Sequence, residues 1–383
     1  MKCRVAIVLS HPIQYNSPLF VEMNKRDVVD FKVFYTWSQS KDEVFDKNFG
    51  QIIRWDIPLL EGYDYTFVKN ISPKPGTQYF KGLINPDLIS KIEAYGATDV
   101  VVFGWNHHSH YKVLKHFKGK IPVYFRGDST LLDEKPGLRT LLRRVVLTRI
   151  YRHIDFAYYV GQNNKEYFTK HGLKENQLIF APHVIDNERF YDATDLQHQK
   201  ASDERKLRLA IRDDNPIVLF VGKFEPKKNP MLLMHAAELM PDLTFVFVGD
   251  GVLKDQMRAK AEFLHNVRFL PFQNQSKMPE TYRLGDVYVL PSSGPGETWG
   301  LAINEAMACG TAVICSNKAG CSPDLIIEGK TGYEFDADDL EDLVDKIRLA
   351  MSHHAELGNN ALQHIKQFDV NACVDRLLSP WMR

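Results

Sequence analysis

Short apolar runs rich in Val, Ile, Leu and Phe recur along the chain, each followed by a polar or glycine-bearing loop and then a segment with helical periodicity. In the first half they predict strands near Arg4–Ser10, Phe31–Trp37, Tyr65–Val68, Asp99–Gly104, Val123–Arg126, Phe156–Gly161 and Leu178–Ala181. In the second half the runs fall near Ile217–Gly222, Thr244–Gly249, Val267–Pro271, Val287–Pro291, Ala312–Cys315 and Gly332–Phe335. They do not alternate strictly, which is the pattern of parallel strands covered on both faces. Two such series predict an α/β chain of two doubly wound, Rossmann-like parallel-sheet domains. The polar stretch Tyr191–Asn215 carries no strand signal and is expected to connect them. The expected division is therefore 1–190, a connector over 191–215, a second domain over 216–359, and a helical segment over 360–383 that returns to the first.

A length of 383 residues agrees with two cores rather than one. Lys+Arg and Asp+Glu both number 48, so bulk charge gives no reason to expect a nucleic-acid partner. The halves differ: residues 1–200 hold 28 basic and 22 acidic side chains, and the remainder holds 20 and 26. Five cysteines (Cys3, Cys309, Cys315, Cys321, Cys373) show no C-x-x-C pair or zinc spacing and are expected to be reduced thiols in a cytoplasmic protein. The apolar run Val5–Leu9 is too short for a signal-peptide core, and no stretch approaches the ~18–20 apolar residues that span a bilayer. Any membrane association is expected to be peripheral.

In open α/β sheets ligands bind beyond the carboxyl ends of the strands, so the loops after strands are the places to look for chemistry. The most informative runs from Pro291 through Ser292, Glu297, Trp299, Gly300, Leu301, Ala302 and Glu305 to Gly310: a strand end, a Gly/Pro loop, a helix start and a glycine stop. From Gly300 to Cys315 the single charged side chain is Glu305, on an otherwise apolar helix. A carboxylate there needs partners. Two readings stand: hydrogen bonds within the core, or acceptance of two ribose hydroxyls. Glu297 has a comparable alternative as a charge favoured at a helix N-terminus. After the strand Ile217–Val221, Lys223 and Lys228 flank a short turn, with Asn229 and Pro230 placed to open a helix. They are either solvated loop lysines or a grip on one diphosphate. Gly249-Asp250-Gly251 is consistent with close backbone approach of a ligand.

Gly222-Lys223 with Lys228, Val248-Gly249-Asp250-Gly251, Asp286-Val-Tyr-Val-Leu-Pro-Ser292 and the spacing of Glu297 to Glu305 together resemble the donor half of retaining glycosyltransferases of family four. The resemblance is dense over about residues 216–336, and Ile179 to Phe190 adds a further signature. It implies the GT-B fold and a reaction moving a sugar from a UDP- or GDP-type nucleotide sugar to a hydroxyl acceptor, with bacterial cell-surface glycan synthesis as the setting. By that resemblance Lys223 and Lys228 clamp the diphosphate and Glu305 holds the ribose. Glu297 contacts the transferred sugar, backbone groups around Trp299–Ala302 hold phosphate or sugar, and backbone near Phe272 meets the base. Lys223 stands where relatives more often carry arginine. No metal and no cofactor is expected, the nucleotide sugar being a substrate.

The first half diverges. Ser10-His11-Pro12-Ile13-Gln14-Tyr15-Asn16-Ser17-Pro18 replaces the usual Gly-Gly loop and is similar to a bacterial subset of the family. Arg126 occupies the position where many relatives place a histidine. An arginine is no general base, so it is expected to steady charge on the leaving phosphate or to orient Asp128. His11, Gln14, Asn106, His107 and Asp128 are the candidate contacts to a glycan or lipid-linked glycan acceptor. His107, His108 and His110 admit a metal reading, an acceptor reading and a plain loop reading. Asp336-Ala337-Asp338 is better explained by helix capping than by metal binding. Lys135 to Arg152 holds six basic residues and no acidic one, with Leu138, Leu141, Leu142, Val145 and Val146 at helical spacing. That segment is either an ordinary helix with a basic outer face or a docking element for anionic lipid. A nucleotide-sugar epimerase and an inactive sugar-nucleotide-binding paralogue are the competing functions at this level.

Overall fold

The computed structural model describes residues 2–38, 44–46, 51–53, 55–192, 196–211 and 215–382. In chain order the strands of the first half are β1 (Arg4–Leu9), β2 (Asp30–Tyr35), β3 (Val44–Asp46), β4 (Gln51–Ile53), β5 (Tyr65–Phe67), β6 (Asp99–Phe103), β7 (Val123–Arg126), β8 (Phe156–Tyr159) and β9 (Leu178–Phe180). Those of the second half are β10 (Ile217–Val221), β11 (Thr244–Val248), β12 (Val267–Leu270), β13 (Val287–Leu290), β14 (Ala312–Ser316) and β15 (Gly332–Phe335). Each expected strand is present, within one or two residues of its predicted ends. The pair β3 and β4, which forms a separate two-stranded sheet, has no counterpart in the sequence reading.

Seven strands form one parallel sheet in the order β5-β2-β1-β6-β7-β8-β9, and six form another in the order β12-β11-β10-β13-β14-β15. Register in the second runs Ile217 to Thr244 on one side of β10 and Val218 to Val287 on the other. The central strands β10, β11, β13 and β14 are buried over their whole length, as parallel strands covered on both faces are, which is why their sequences are continuous apolar runs, while the edge strands β12 and β15 are partly exposed. Phe220, Phe245 and Phe247 pack with Leu233, Met234, Leu343 and Ile347 in one core. Val8, Val102 and Phe125 pack with Val113, Leu147 and Phe168 in the other.

The chain divides into one unit of Met1–Val44, Pro58–His183 and Val370–Arg383, and a second of Phe45–Ile57 and Val184–Asp369. These bounds differ from the expected ones in three places. Of the expected connector, 193–195 and 212–214 lie outside the described residues, and the rest belongs to the second unit, with a helix over Gln197–Arg208. Arg205 of that helix forms an ion pair with the well-buried Glu280 and donates to Thr281 Oγ1 at 2.8 Å, which fixes it to the second unit. The helix His354–Ile365 also stays there, against β14. Gly358 permits this, since a Cβ on it would fall 2.0 Å from Gly310 O. The return to the first unit starts only at Val370. There Tyr158 Oη donates to Leu377 O at 2.8 Å, Arg376 lies over the Phe180 ring at 4.4 Å, and Trp381 meets Tyr124 at 5.0 Å between ring centroids.

Candidate functional site

In each sheet the strand order reverses at one point, and the loops beyond the carboxyl ends diverge there to leave a crevice. In the second sheet this point lies between β10 and β13. The loop after β10 contributes Lys223 and Lys228 and the loop after β13 contributes Glu297, so topology alone brings distant residues together. Local bonds fix the approach. Ser293 N–H donates to Lys227 O at 3.0 Å and Lys228 N–H to Glu225 O at 3.0 Å, tying the β13 loop to the Pro226–Lys228 turn. Lys228 Nζ then forms an ion pair with Glu297 Oε2, the two side chains being only 19% and 10% exposed. Ser292 Oγ donates to the same carboxylate oxygen at 2.9 Å, and Gly320 N–H donates to Glu297 O at 3.0 Å.

Glu305 is 2% exposed on the helix Leu301–Ala308. Tyr282 Oη donates to its Oε2 at 2.6 Å, so one oxygen is oriented from within the protein, by a tyrosine rather than by backbone or lysine. Gly300 precedes the helix at φ 106°, a conformation that strains any residue with a Cβ. A Cβ there would also fall 2.8 Å from Leu290 Cδ2. Helix geometry leaves the first-turn N–H groups of Leu301 and Ala302 without acceptors inside their own helix. Trp299 is buried, its Nε1 donating to Asn304 Oδ1 at 2.8 Å, and its carbonyl accepts from Cys321 N–H at 2.9 Å. Gly310, at φ 74°, ends the helix as expected. Lys223 and Phe272 are both half-buried, in the loops after β10 and β12.

At Gly249 and Gly251 the structure shows close backbone approach within the protein itself. A Cβ on Gly249 would fall 2.0 Å from Gly222 O, and one on Gly251 2.6 Å from Phe224 O. Gly222 N–H donates to Val248 O at 3.0 Å and Phe224 N–H to Asp250 O at 2.9 Å. The two glycines let the β10 and β11 loops pack backbone to backbone. Asn229 departs from its expected capping role as well: its Nδ2 donates to Asp338 Oδ1 at 2.9 Å and its side chain caps nothing. Of the aspartate string, Asp336 accepts from Asn317 Nδ2 at 2.7 Å, and the helix cap is supplied one residue later by Asp339, which accepts from Asp342 N–H at 3.0 Å.

In the first sheet the reversal lies between β1 and β6, and it gathers His11, from the loop after β1, near His107, from the loop after β6. His11 meets the Trp37 ring edge-on at 5.3 Å, and its Nδ1 lies 2.9 Å from Ser10 Oγ. Burial, helped by His107, lowers the His11 pKa to about 4. Burial likewise lowers His107, whose Nδ1 is enclosed with no hydrogen-bond partner. Gln14 is half-buried in the same loop as His11, and Asn106 is exposed. His110 is a core histidine. Its Nδ1 donates to the Phe103 and Gly104 carbonyls at 3.0 Å each, which leaves Nε2 to accept from Thr36 Oγ1 at 2.9 Å. Among the described residues no three His, Cys, Asp or Glu side chains gather as a metal site.

Arg126 is not placed as expected. It is buried at the end of β7, and its two terminal nitrogens donate to Ala181 O at 2.8 Å and Pro182 O at 3.0 Å. A guanidinium committed to the backbone after β9 braces that loop and orients nothing toward a phosphate. Asp128 instead faces His183, with Nε2 at 3.7 Å from Oδ2. The sequence reading missed His183, Ser292 and Tyr282 as site partners. His183 stood inside the Ile179–Phe190 signature and Ser292 inside the β13 signature, but Tyr282 gave no local signal.

Residues 201–366 match the family Glycosyl transferases group 1. Among curated relatives, the chain is 30% identical over 210 residues to the sulfoquinovosyl transferase SQD2 of Arabidopsis thaliana, covering 53% of this chain and 39% of that one. It is 31% identical over 187 residues to the D-inositol 3-phosphate glycosyltransferase of Mycobacteroides abscessus, covering 46% and 42%. The chain thus spans about two fifths of the length of these two relatives. It is 28% identical over 256 residues to the N,N'-diacetylbacillosaminyl-diphospho-undecaprenol alpha-1,3-N-acetylgalactosaminyltransferase of Campylobacter jejuni, covering 64% and 66%. Among solved structures, Anabaena Alr3699/HepE in complex with UDP superposes with a TM-score of 0.73 at 18% identity over 99% of both chains. The second unit thus carries a match to the glycosyl transferases group 1 family over residues 201–366, and the two parallel sheets of the chain carry the GT-B fold.

Proposed function

We propose that the protein is a retaining glycosyltransferase that moves a sugar from a nucleoside diphosphate sugar to a hydroxyl acceptor. The observation that carries this reading is the enclosed set of charges at the switch point of the second sheet: Lys228 paired with Glu297, which also accepts from Ser292, and Glu305 held by Tyr282, both carboxylates acting on the buried Tyr288. In that cluster Lys228, with Lys223, supplies fixed positive charge where a diphosphate departs. Charge that is already in place stabilises the leaving group without reorganisation when the bond breaks. The carboxylates of Glu297 and Glu305 suit neutral hydroxyl donors, Glu297 those of the transferred sugar and Glu305 those of the ribose. Complexes of structural neighbours with UDP and UDP-glucose support a UDP-type donor. The diphospho-undecaprenol acceptor in the name of the Campylobacter relative supports a lipid-linked glycan acceptor.

The acceptor oxygen bonds to the anomeric carbon on the face from which the diphosphate leaves. The carbon–oxygen bond to phosphate breaks, and the acceptor proton passes to the departing phosphate oxygen. On the first sheet, burial keeps His11 and His107 neutral, so they contact the acceptor as hydrogen-bonding groups rather than as cations.

Donor turnover tests the reading directly. Lys228→Ala and Glu305→Ala are each expected to lower it about 100-fold or more, the size of one preorganised electrostatic contact. Near-normal turnover in both variants would refute the assignment. A thermal-shift panel of nucleoside diphosphates and their sugars identifies the base.

A further inference from the structure

The helix Leu138–Tyr151 turns its predicted apolar stripe away from the core. Its buried face is Leu147, Ile150 and Tyr151, with Tyr151 meeting Phe125 and Phe168 at 5.7 Å between ring centroids in each case. Leu138, Leu141, Leu142, Val145 and Val146 are all exposed, Leu138 by 80% and Leu142 by 66%. At about 100° per residue these five side chains occupy a sector of about 140° opposite the buried face. Arg149 and Arg152 project into the same sector, and Lys135 and Arg139 are exposed at its N-terminal end. Arg143 and Arg144 lie at the flanks of the buried face, where they hold Tyr167 Oη at 3.4 Å and Glu134 at 3.2 Å.

We propose that this exposed face docks the protein on an anionic lipid bilayer. An apolar stripe set among cations is complementary to a surface that offers acyl chains beneath phosphate headgroups. A second copy of the chain is a poor occupant, because the same stripe would bring four exposed cations against four others. The helix is about 21 Å long, too short to cross a bilayer, and therefore lies in the interface plane. No helix among the described residues is long and apolar enough to span a membrane.

Sedimentation of the full chain with vesicles of phosphatidylcholine, alone or mixed with phosphatidylglycerol, tests the proposal. Binding is expected to the mixed vesicles, to fall steeply with salt, and to be weak on phosphatidylcholine alone. Arg149→Gln with Arg152→Gln is expected to weaken it about 30-fold, from the loss of two cations near the surface. Leu141→Asp with Leu142→Asp is expected to abolish it while the circular dichroism spectrum and UDP-induced thermal shift stay unchanged. Equal binding to both vesicle types, or none, would overturn the proposal. So would wild-type binding by both folded variants, or a solution dimer that the leucine variant dissolves. The readout is lipid attachment, so it stands apart from sugar transfer.

Discussion

His110 shows how little a residue's type says of its task. Three histidines within four residues invite a ligand reading, yet both ring nitrogens of His110 are satisfied inside the first unit, and burial lowers its pKa from 6.5 to about 3. The unfolded chain therefore takes up a proton over a range in which the folded chain refuses it. The stabilising contribution is whole above pH 6.5 and is lost as pH falls through that range toward 3. The slope is about 1.4 kcal/mol per pH unit for one such group. Urea midpoints are expected to fall with pH from about 6.5 downward, and His110→Asn, which cannot titrate, is expected to reduce that dependence by about one proton. An unchanged slope would contradict the burial. At the second site, the residue types Lys228, Glu297 and Glu305 were legible as chemistry, but the partners Tyr282 and Ser292 were not. Tyr282 is 23 residues from Glu305, and only packing joins them.

At the scale of elements, apolar run length located the thirteen main strands because a strand buried on both faces cannot hold many polar residues. The helix Gln197–Arg208 escaped for the opposite reason: nearly all of it is polar, and among its described side chains only Ser202 is buried. The glycine loops were located correctly, and the structure adds a packing constraint on them that the sequence did not show. Gly249 and Gly251 are required by the crossing of the β10 and β11 loops, so their replacement acts on folding before it acts on a ligand. Gly249→Ala combines a φ of 149° with a Cβ 2.0 Å from Gly222 O. A cost of about 2–4 kcal/mol is expected, read as a lower denaturant midpoint. A midpoint within error of the parent would show that the loops separate without penalty.

For the whole molecule, the C-terminal helix Val370–Leu378 belongs to the first unit although almost two hundred residues of the second lie between them in sequence. Val374, Leu377 and Leu378 are buried there. At about 1.5–3 kcal/mol for each side chain removed from water, their loss is comparable with the stability of a whole domain. A chain ending at Asp369 is expected to bind a hydrophobic dye and to lose the cooperative unfolding of the first unit. The change should register in tryptophan fluorescence, and retention of full cooperativity would show that the helix is dispensable. The family match over residues 201–366 covers the second unit, where the motifs were dense.

The amino-acid sequence by itself determined the thirteen strands of the two parallel sheets, though not the pair β3 and β4, and the residue types gathered beyond β10 and β13. Those features follow from local constraints: which side chains can be buried, and where the backbone needs glycine. Tertiary structure alone decided that Arg126 braces a loop, that His110 is a core residue, and that the stripe from Leu138 to Val146 faces solvent. Each depends on which surfaces other elements have already covered, a property of packing that no single segment encodes.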